Sequence, residues 1–140
     1  MNIKLEAINL DSITLAIERK ITENGAKALK KACALIEGEA KMAAPKGNGE
    51  LARSITSKVE ESYGEVVGTV FTPLEYAPYV EYGTGLFAEG KGRQDVPWTY
   101  MDEKGDYYTT YGMHPHPYMR PALYNNKEKI IDIIKEGLND

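Results

Sequence analysis

The stretch DSITLAIERKITENGAKALKKACALIEGEAKMAAP, residues 11–45, decides how the chain is built. Its apolar residues Leu29, Ala32, Cys33, Ile36, Ala40 and Ala43 fall three or four apart, which puts them on one face of an α-helix. Asp11 or Ser12 offers an N-cap, because a short side-chain oxygen accepts a bond from a free amide of the first turn. Pro45 ends the helix, since the residue before a proline is pushed out of helical geometry. The pattern thus predicts a long helix from Asp11 or Ser12 to Ala43. Gly25 marks where it bends, or where it divides with Thr22 capping the second part.

Outward from this helix the pattern changes period. Residues 2–8 alternate weakly and read as a short strand or a loose arm, so 1–10 is set apart as an arm. After the KGNG loop (46–49), Ile55 and Val59 within LARSITSKVEES suggest a strand with one exposed face. EVVGTVFT (65–72) is the clearest strand, β-branched and bounded by Gly64 and Pro73, and it forms a hairpin with the one before. In YAPYVEYGTG (76–85), Tyr76, Tyr79, Val80 and Gly83 are spaced for a short helix that stops at the glycine, with Pro78 in its first turn. Residues 86–96 form a glycine-rich mobile loop. Residues 97–112 read as a second hairpin turning at DEKGD. MHPHP (113–117) is irregular, and from about Pro117 a closing helix carries Met119, Leu123, Ile130, Ile134 and Leu138, with a polar gap at Asn126. The fold class is α+β in a single domain, residues 1–140. A small antiparallel sheet of about four strands packs against a long N-terminal and a C-terminal helix.

Composition restricts the chemistry. The 140 residues suffice for one modest core. The apolar and charged fractions are those of a soluble globular protein, no apolar run reaches the length of a membrane span, and the N-terminus lacks a signal-peptide pattern, so residence in the cytosol is expected. The lone cysteine, Cys33, sits on the apolar helix face and reads as a small buried hydrophobe. The net charge of −4 is uneven: residues 61–118 hold 3 bases and 9 acids, which argues against that segment gripping phosphates. His114 and His116 are the only histidines, and nothing in the spacing supplies the further ligands a metal needs. Ser54, Ser57 and Ser62 lack a nucleophile elbow, and GKGR (90–93) lacks the strand-to-helix context of a phosphate loop. The anomaly is aromatic. Nine of ten tyrosines and the only tryptophan lie between Tyr76 and Tyr124, a concentration that covers a sheet face or meets a protein partner.

Five motifs in order carry a resemblance: AP (44–45), NGELARSI (48–55), YAPYVEYGTG (76–85), Trp98 in a hairpin, and HPYMRPAL (116–123). Together they resemble the head–tail joining or tail-completion proteins of long-tailed bacteriophages and prophages, the gene-product-ten-like family, over roughly residues 12–138. Asn48, Tyr82 and Tyr118 stand where that family has threonine and two phenylalanines. The resemblance implies a virion structural subunit without catalytic residues, cofactor or metal. It forms a homo-oligomeric ring where the tail meets the head, and a lone subunit can stay monomeric until it meets the tail. Its partners are tail-tube or head–neck proteins, and DNA passes through the ring without sequence recognition or membrane contact. Such a subunit is assembled in the host cytoplasm and resides in the virion tail or neck. On this reading Tyr76 and Tyr79 pack inward, while Tyr82, Gly83, Thr84, Gly85, Phe87, Trp98, Tyr118 and Arg120 form the assembly interface. The alternatives are a head-side neck protein and, in another class, a small hydrolase or metal enzyme using His114 and His116.

Overall fold

The computed structural model describes residues 4–9, 12–18, 23–47, 49–62, 65–89 and 96–139. The elements run β1 (Lys4–Asn9), β2 (Ser12–Glu18), α1 (Glu23–Ala43), α2 (Glu50–Ser54), β3 (Thr56–Ser62), β4 (Glu65–Phe71), α3 (Ala77–Tyr82), a 3₁₀ turn (Gly85–Phe87), β5 (Trp98–Met101), β6 (Tyr107–Thr110), α4 (Met119–Tyr124) and α5 (Lys127–Asn139). The class is α+β, as the sequence predicts, but several elements differ.

The largest correction is β2. The helix does not begin at residue 11 or 12; residues 12–18 are a central strand, hydrogen-bonded to β1 on one side and β4 on the other. Ile13 and Ile17 are four apart, a spacing that suits a helix face and a strand face alike. Leu15 between them breaks the tie, because all three point to one side of a strand and all three are buried. The described α1 is Glu23–Ala43, the last 21 residues of the predicted helix. Leu29, Ala32, Cys33, Ile36 and Ala40 form its fully buried face, whereas Ala43 is only partly buried. Residues 51–54, expected within a strand, instead belong to the short helix α2, Glu50–Ser54, which seats Leu51 in the core.

The strand order is β1-β2-β4-β3, antiparallel throughout. The second hairpin does not join this sheet; β5 and β6 form a separate ribbon. One face of the four-stranded sheet takes the helical layer. Val70 pairs with Ile13, Val66 with Ile17, and Gly68 with Leu15 on one side and Val59 on the other. The glycine interrupts an apolar row for a steric reason: a Cβ on Gly68 would lie 2.7 Å from Cys33 Sγ. Helix α1 therefore crosses the sheet at a separation that only a glycine permits. The Cys33 thiol, closed in by this contact, has its pKa pushed up to about 12, mainly by burial and secondly by the charge of Glu37. It is a packing group, not a nucleophile.

The closing helix is two helices. Asn126 folds its side-chain amide back to the carbonyl of Ala122 (2.9 Å), and Ile130 N–H bonds Asn126 O (2.9 Å) to start α5. The polar gap in the stripe is thus a helix junction. Met119, Ala122, Leu123, Ile130 and Ile134 are all buried, and both pieces pack along α1.

The α1–sheet contact predicts a compensating pair. Gly68→Ala is expected to destabilise the protein by about 1–3 kcal/mol through overpacking. Cys33→Ala in the same chain should recover part of that loss, measured as a non-additive double-mutant cycle in chemical denaturation.

Candidate assembly surface

YAPYVEYGTG begins as expected. Helix α3 has Pro78 in its first turn and stops at Gly83, whose φ is 82°. Its buried face is not the expected one. Tyr76 and Tyr79 are 39% and 58% exposed, and the side chains turned inward are Ala77 and Glu81. The inward packing of Tyr76 and Tyr79 is therefore corrected: the small alanine lets α3 approach the core, and the acid beside it has a partner to reach.

That partner is the start of α4. Glu81 is fully buried, and its Oε1 accepts the amides of Tyr118 (3.2 Å) and Met119 (2.8 Å). Its Oε2 accepts Arg120 Nε at 2.9 Å and lies 3.4 Å from the Arg120 amide. The guanidinium also donates to Glu81 O (3.2 Å) and pairs with Glu89 (3.0 Å). The Tyr118 side chain at the N-cap position makes no capping bond to the helix. The carboxylate of Glu81 supplies that cap from another element, satisfying amides that the first turn leaves without helical partners. Arg120 also lies 4.3 Å above the Tyr82 ring. Burial opposes its charge, but the bonds to Glu81 and Glu89 outweigh burial and raise its pKa above the ordinary arginine value. Tyr82, partly screened by the same contacts, has its hydroxyl pKa raised chiefly by burial, against the lowering effect of Arg120.

The Gly-Thr-Gly ending works as a clip. Thr84 N–H bonds Met113 O (2.8 Å), Met113 N–H reaches Thr84 Oγ1 (2.9 Å), and Leu86 N–H bonds Tyr111 O (2.8 Å). A Cβ on Gly85 would strike Tyr111 O and the Trp98 ring, and one on Gly112 would strike Thr84 O. Two backbones touch here, and side chains are excluded. Phe87 stacks on His114 with ring centroids 3.9 Å apart. His116 N–H bonds Val80 O (2.8 Å), and its Nε2 donates to Ala43 O (3.1 Å). His114 thus holds the irregular segment 113–117 against the 3₁₀ turn, and His116 holds it against α3 and the end of α1. Among the described residues no group of three or more His, Cys, Asp or Glu is placed to hold a metal. Ser54 is 2.7 Å from Thr72 Oγ1, and Ser57 donates to Glu37.

Of the eight interface residues expected from sequence, most are committed within the subunit. Tyr118 is fully buried and presents no side chain to a neighbour, which corrects that expectation. Arg120 is held by Glu81 and Glu89. Gly83 and Gly85 are buried in the clip and Thr84 is half-buried. Tyr82, Phe87 and Trp98 are partly exposed. The expected mobile loop, 86–96, begins with the ordered 3₁₀ turn, and its residues 90–95 lie outside the described residues.

The large exposed apolar surface is on the ribbon instead. Tyr100, Met101, Tyr107, Tyr108, Tyr111 and Met113 are exposed, Tyr107 by 72%. Tyr100 and Tyr108 stack at 5.7 Å on one face, and Thr99 and Thr109 hydroxyls meet at 3.1 Å. Asp102 shapes the turn by accepting the amides of Lys104 and Asp106, each at 2.9 Å. Among the described elements, neither strand packs substantially on any but the other. Sequence reasoning located the aromatic region but not these residues, because it placed the hairpin in the main sheet. It also missed Glu81, whose one signal was an acid set among apolar helix positions.

The model of the family described as "Bacteriophage HK97-gp10, putative tail-component" matches residues 13–83, from the start of β2 to the glycine that ends α3. The chain belongs to this family. It is therefore a structural component of a phage tail, and the match covers the main-sheet strands β2, β3 and β4 with α1, α2 and α3, while the ribbon, α4 and α5 follow it. No curated protein and no solved structure matches the chain. Among the described residues, no helix of this tail-component protein is long and apolar enough to cross a membrane.

Removing the buried carboxylate should cost more than removing its partner. Glu81→Ala is expected to destabilise by about 3–5 kcal/mol, since it leaves the buried α4 amides without an acceptor and Arg120 with Glu89 as its one remaining carboxylate. Arg120→Ala, whose side chain remains partly solvated, should cost less. Denaturant titration of both variants checks the order.

Proposed function

We propose that this tail-component protein is a tail-completion or head–tail joining subunit, non-enzymatic, which forms a ring at the tail end meeting the head. The observation that carries the reading is the aromatic ribbon. Two paired strands with both faces in water are marginal on their own, and their free edges and exposed tyrosines gain from a protein neighbour. A subunit that projects such a ribbon from a core of ordinary packing is suited to assembly. The family's tail assignment supports the address.

The histidines favour this over a hydrolase or metal enzyme. The His114 ring is occupied by Phe87, and His116 Nε2 by a main-chain carbonyl. Among the described residues neither ring belongs to a group of three or more His, Cys, Asp or Glu that could hold a metal. The partners on this reading are tail-tube and head–neck proteins, met in the host cytoplasm and retained in the virion. The exposed acids of the segment 61–118 suit a surface that DNA passes without adhering.

Electron microscopy of an induced lysate lacking the gene tests the proposal. Filled heads beside detached tails are expected for a joining role, and tails of uncontrolled length for a terminating one. Filled heads beside tails that end at the normal length and can join added wild-type heads would move the protein to the head-side neck. Intact infectious particles would overturn the assembly role.

A further inference from the structure

The exposed row of α1 has no explanation inside the subunit. Lys30, Ala34, Gly38 and Met42 follow one another at intervals of four and are all exposed, with Lys27 and Lys31 beside the first. Gly38 sits deep in a long helix, where glycine is the poorest residue but proline. A Cβ placed there would meet nothing within 4 Å. Neither a turn nor an intrachain contact requires the missing side chain. Met42 is a large apolar group left in water beyond it. The row itself is basic at Lys30 and small or apolar from Ala34 to Met42, where Lys46 Nζ donates to Met42 O (3.0 Å). Lys27, Lys30 and Lys31 make no ion pair among the described residues.

The ribbon is its complement. Its body is aromatic and apolar, and its tip, Asp102 to Asp106, carries three acids against Lys104. From Trp98 to Asp102, where the tip begins, the strand extends about 13 Å. From Met42 to Lys30 the helix runs about 18 Å. Laid along the row, the ribbon would set its face of Tyr100 and Tyr108 over Ala34, Gly38 and Met42 and its acids at the lysines, with Met101 and Tyr107 on the opposite face. Within one subunit the ribbon makes no substantial contact with α1.

We infer that the β5–β6 ribbon of one subunit docks on the outward row of α1 in a second copy of this chain. The contact joins unlike surfaces, the type that closes a ring by repetition. Gly38 is then a landing site for an aromatic ring, and the uneven charge of the chain is a device for register. The inference rests on the ring reading for its closure, and on the two surfaces for its chemistry.

Charge exchange tests it. Sedimentation velocity of the purified full chain should show concentration-dependent association that weakens with salt. Glu103→Lys with Asp106→Lys should weaken association about tenfold or more, as should Lys27→Glu with Lys30→Glu and Lys31→Glu. Asp102 is left intact because it shapes the turn. All five changes in one chain should restore association, and so should an equal mixture of the two reversed chains. Gly38→Leu, which the open space accepts, should leave circular dichroism unchanged and block association. A chain monomeric at every concentration, reversals without effect, failure of the five-fold variant to recover, or association appearing only with another tail protein would each overturn the inference. Loss of association on charge reversal beside normal phage from the gene-deleted strain would retain the interface and discard the ring reading. Detached heads and tails beside charge-insensitive association would do the reverse.

Discussion

The carboxylate of Glu81 is fully buried and accepts the main-chain amides of Tyr118 and Met119 and the guanidinium of Arg120, all 37 to 39 residues away in sequence. A charge taken out of water is unfavourable unless its oxygens are filled, and here both are. The bond set ties the end of α3 to the start of α4, so the segment between them must leave and return at fixed points. The clip of Thr84 and Leu86 on Met113 and Tyr111 narrows that exit further. What lies between, the ribbon, is consequently held at its foot and free along its length.

This arrangement separates two demands on a small chain. The core of α1, α4 and α5 on one face of a four-stranded sheet buries the aliphatic residues that stabilise the fold. The ribbon contributes little to that core and carries much of the exposed aromatic area. Apolar area left in water is a cost for an isolated subunit and a gain for one that assembles. The same applies to the outward row of α1, where Gly38 and Met42 weaken or burden the helix without return inside the subunit. The local rules of folding are broken most at these two exposed surfaces.

The family match ends at Gly83, where α3 ends. It includes Glu81 but not Arg120, so the match covers one side of the buried pair only. The other side belongs to the segment that follows the ribbon, and it is the pair that joins the two parts into one structure.

Much of the secondary structure was determined by the sequence itself. The apolar spacing of Leu29 to Ala40 makes α1, the β-branched run at 65–71 makes β4, and Pro78 with Gly83 brackets α3, because each signal is local and has one period. Ser12–Glu18 was not decided locally: Ile13 and Ile17 fit either period, and pairing with β1 and β4 on both edges makes it a strand. Which tyrosines face water was likewise a tertiary matter, since Tyr76, Tyr79 and Tyr118 share a residue type and differ only in what packs beside them. The role of Glu81 was invisible for the same reason. A carboxylate reads as solvated until the fold brings three amides and a guanidinium to it, and sequence spacing carries no record of partners so far along the chain.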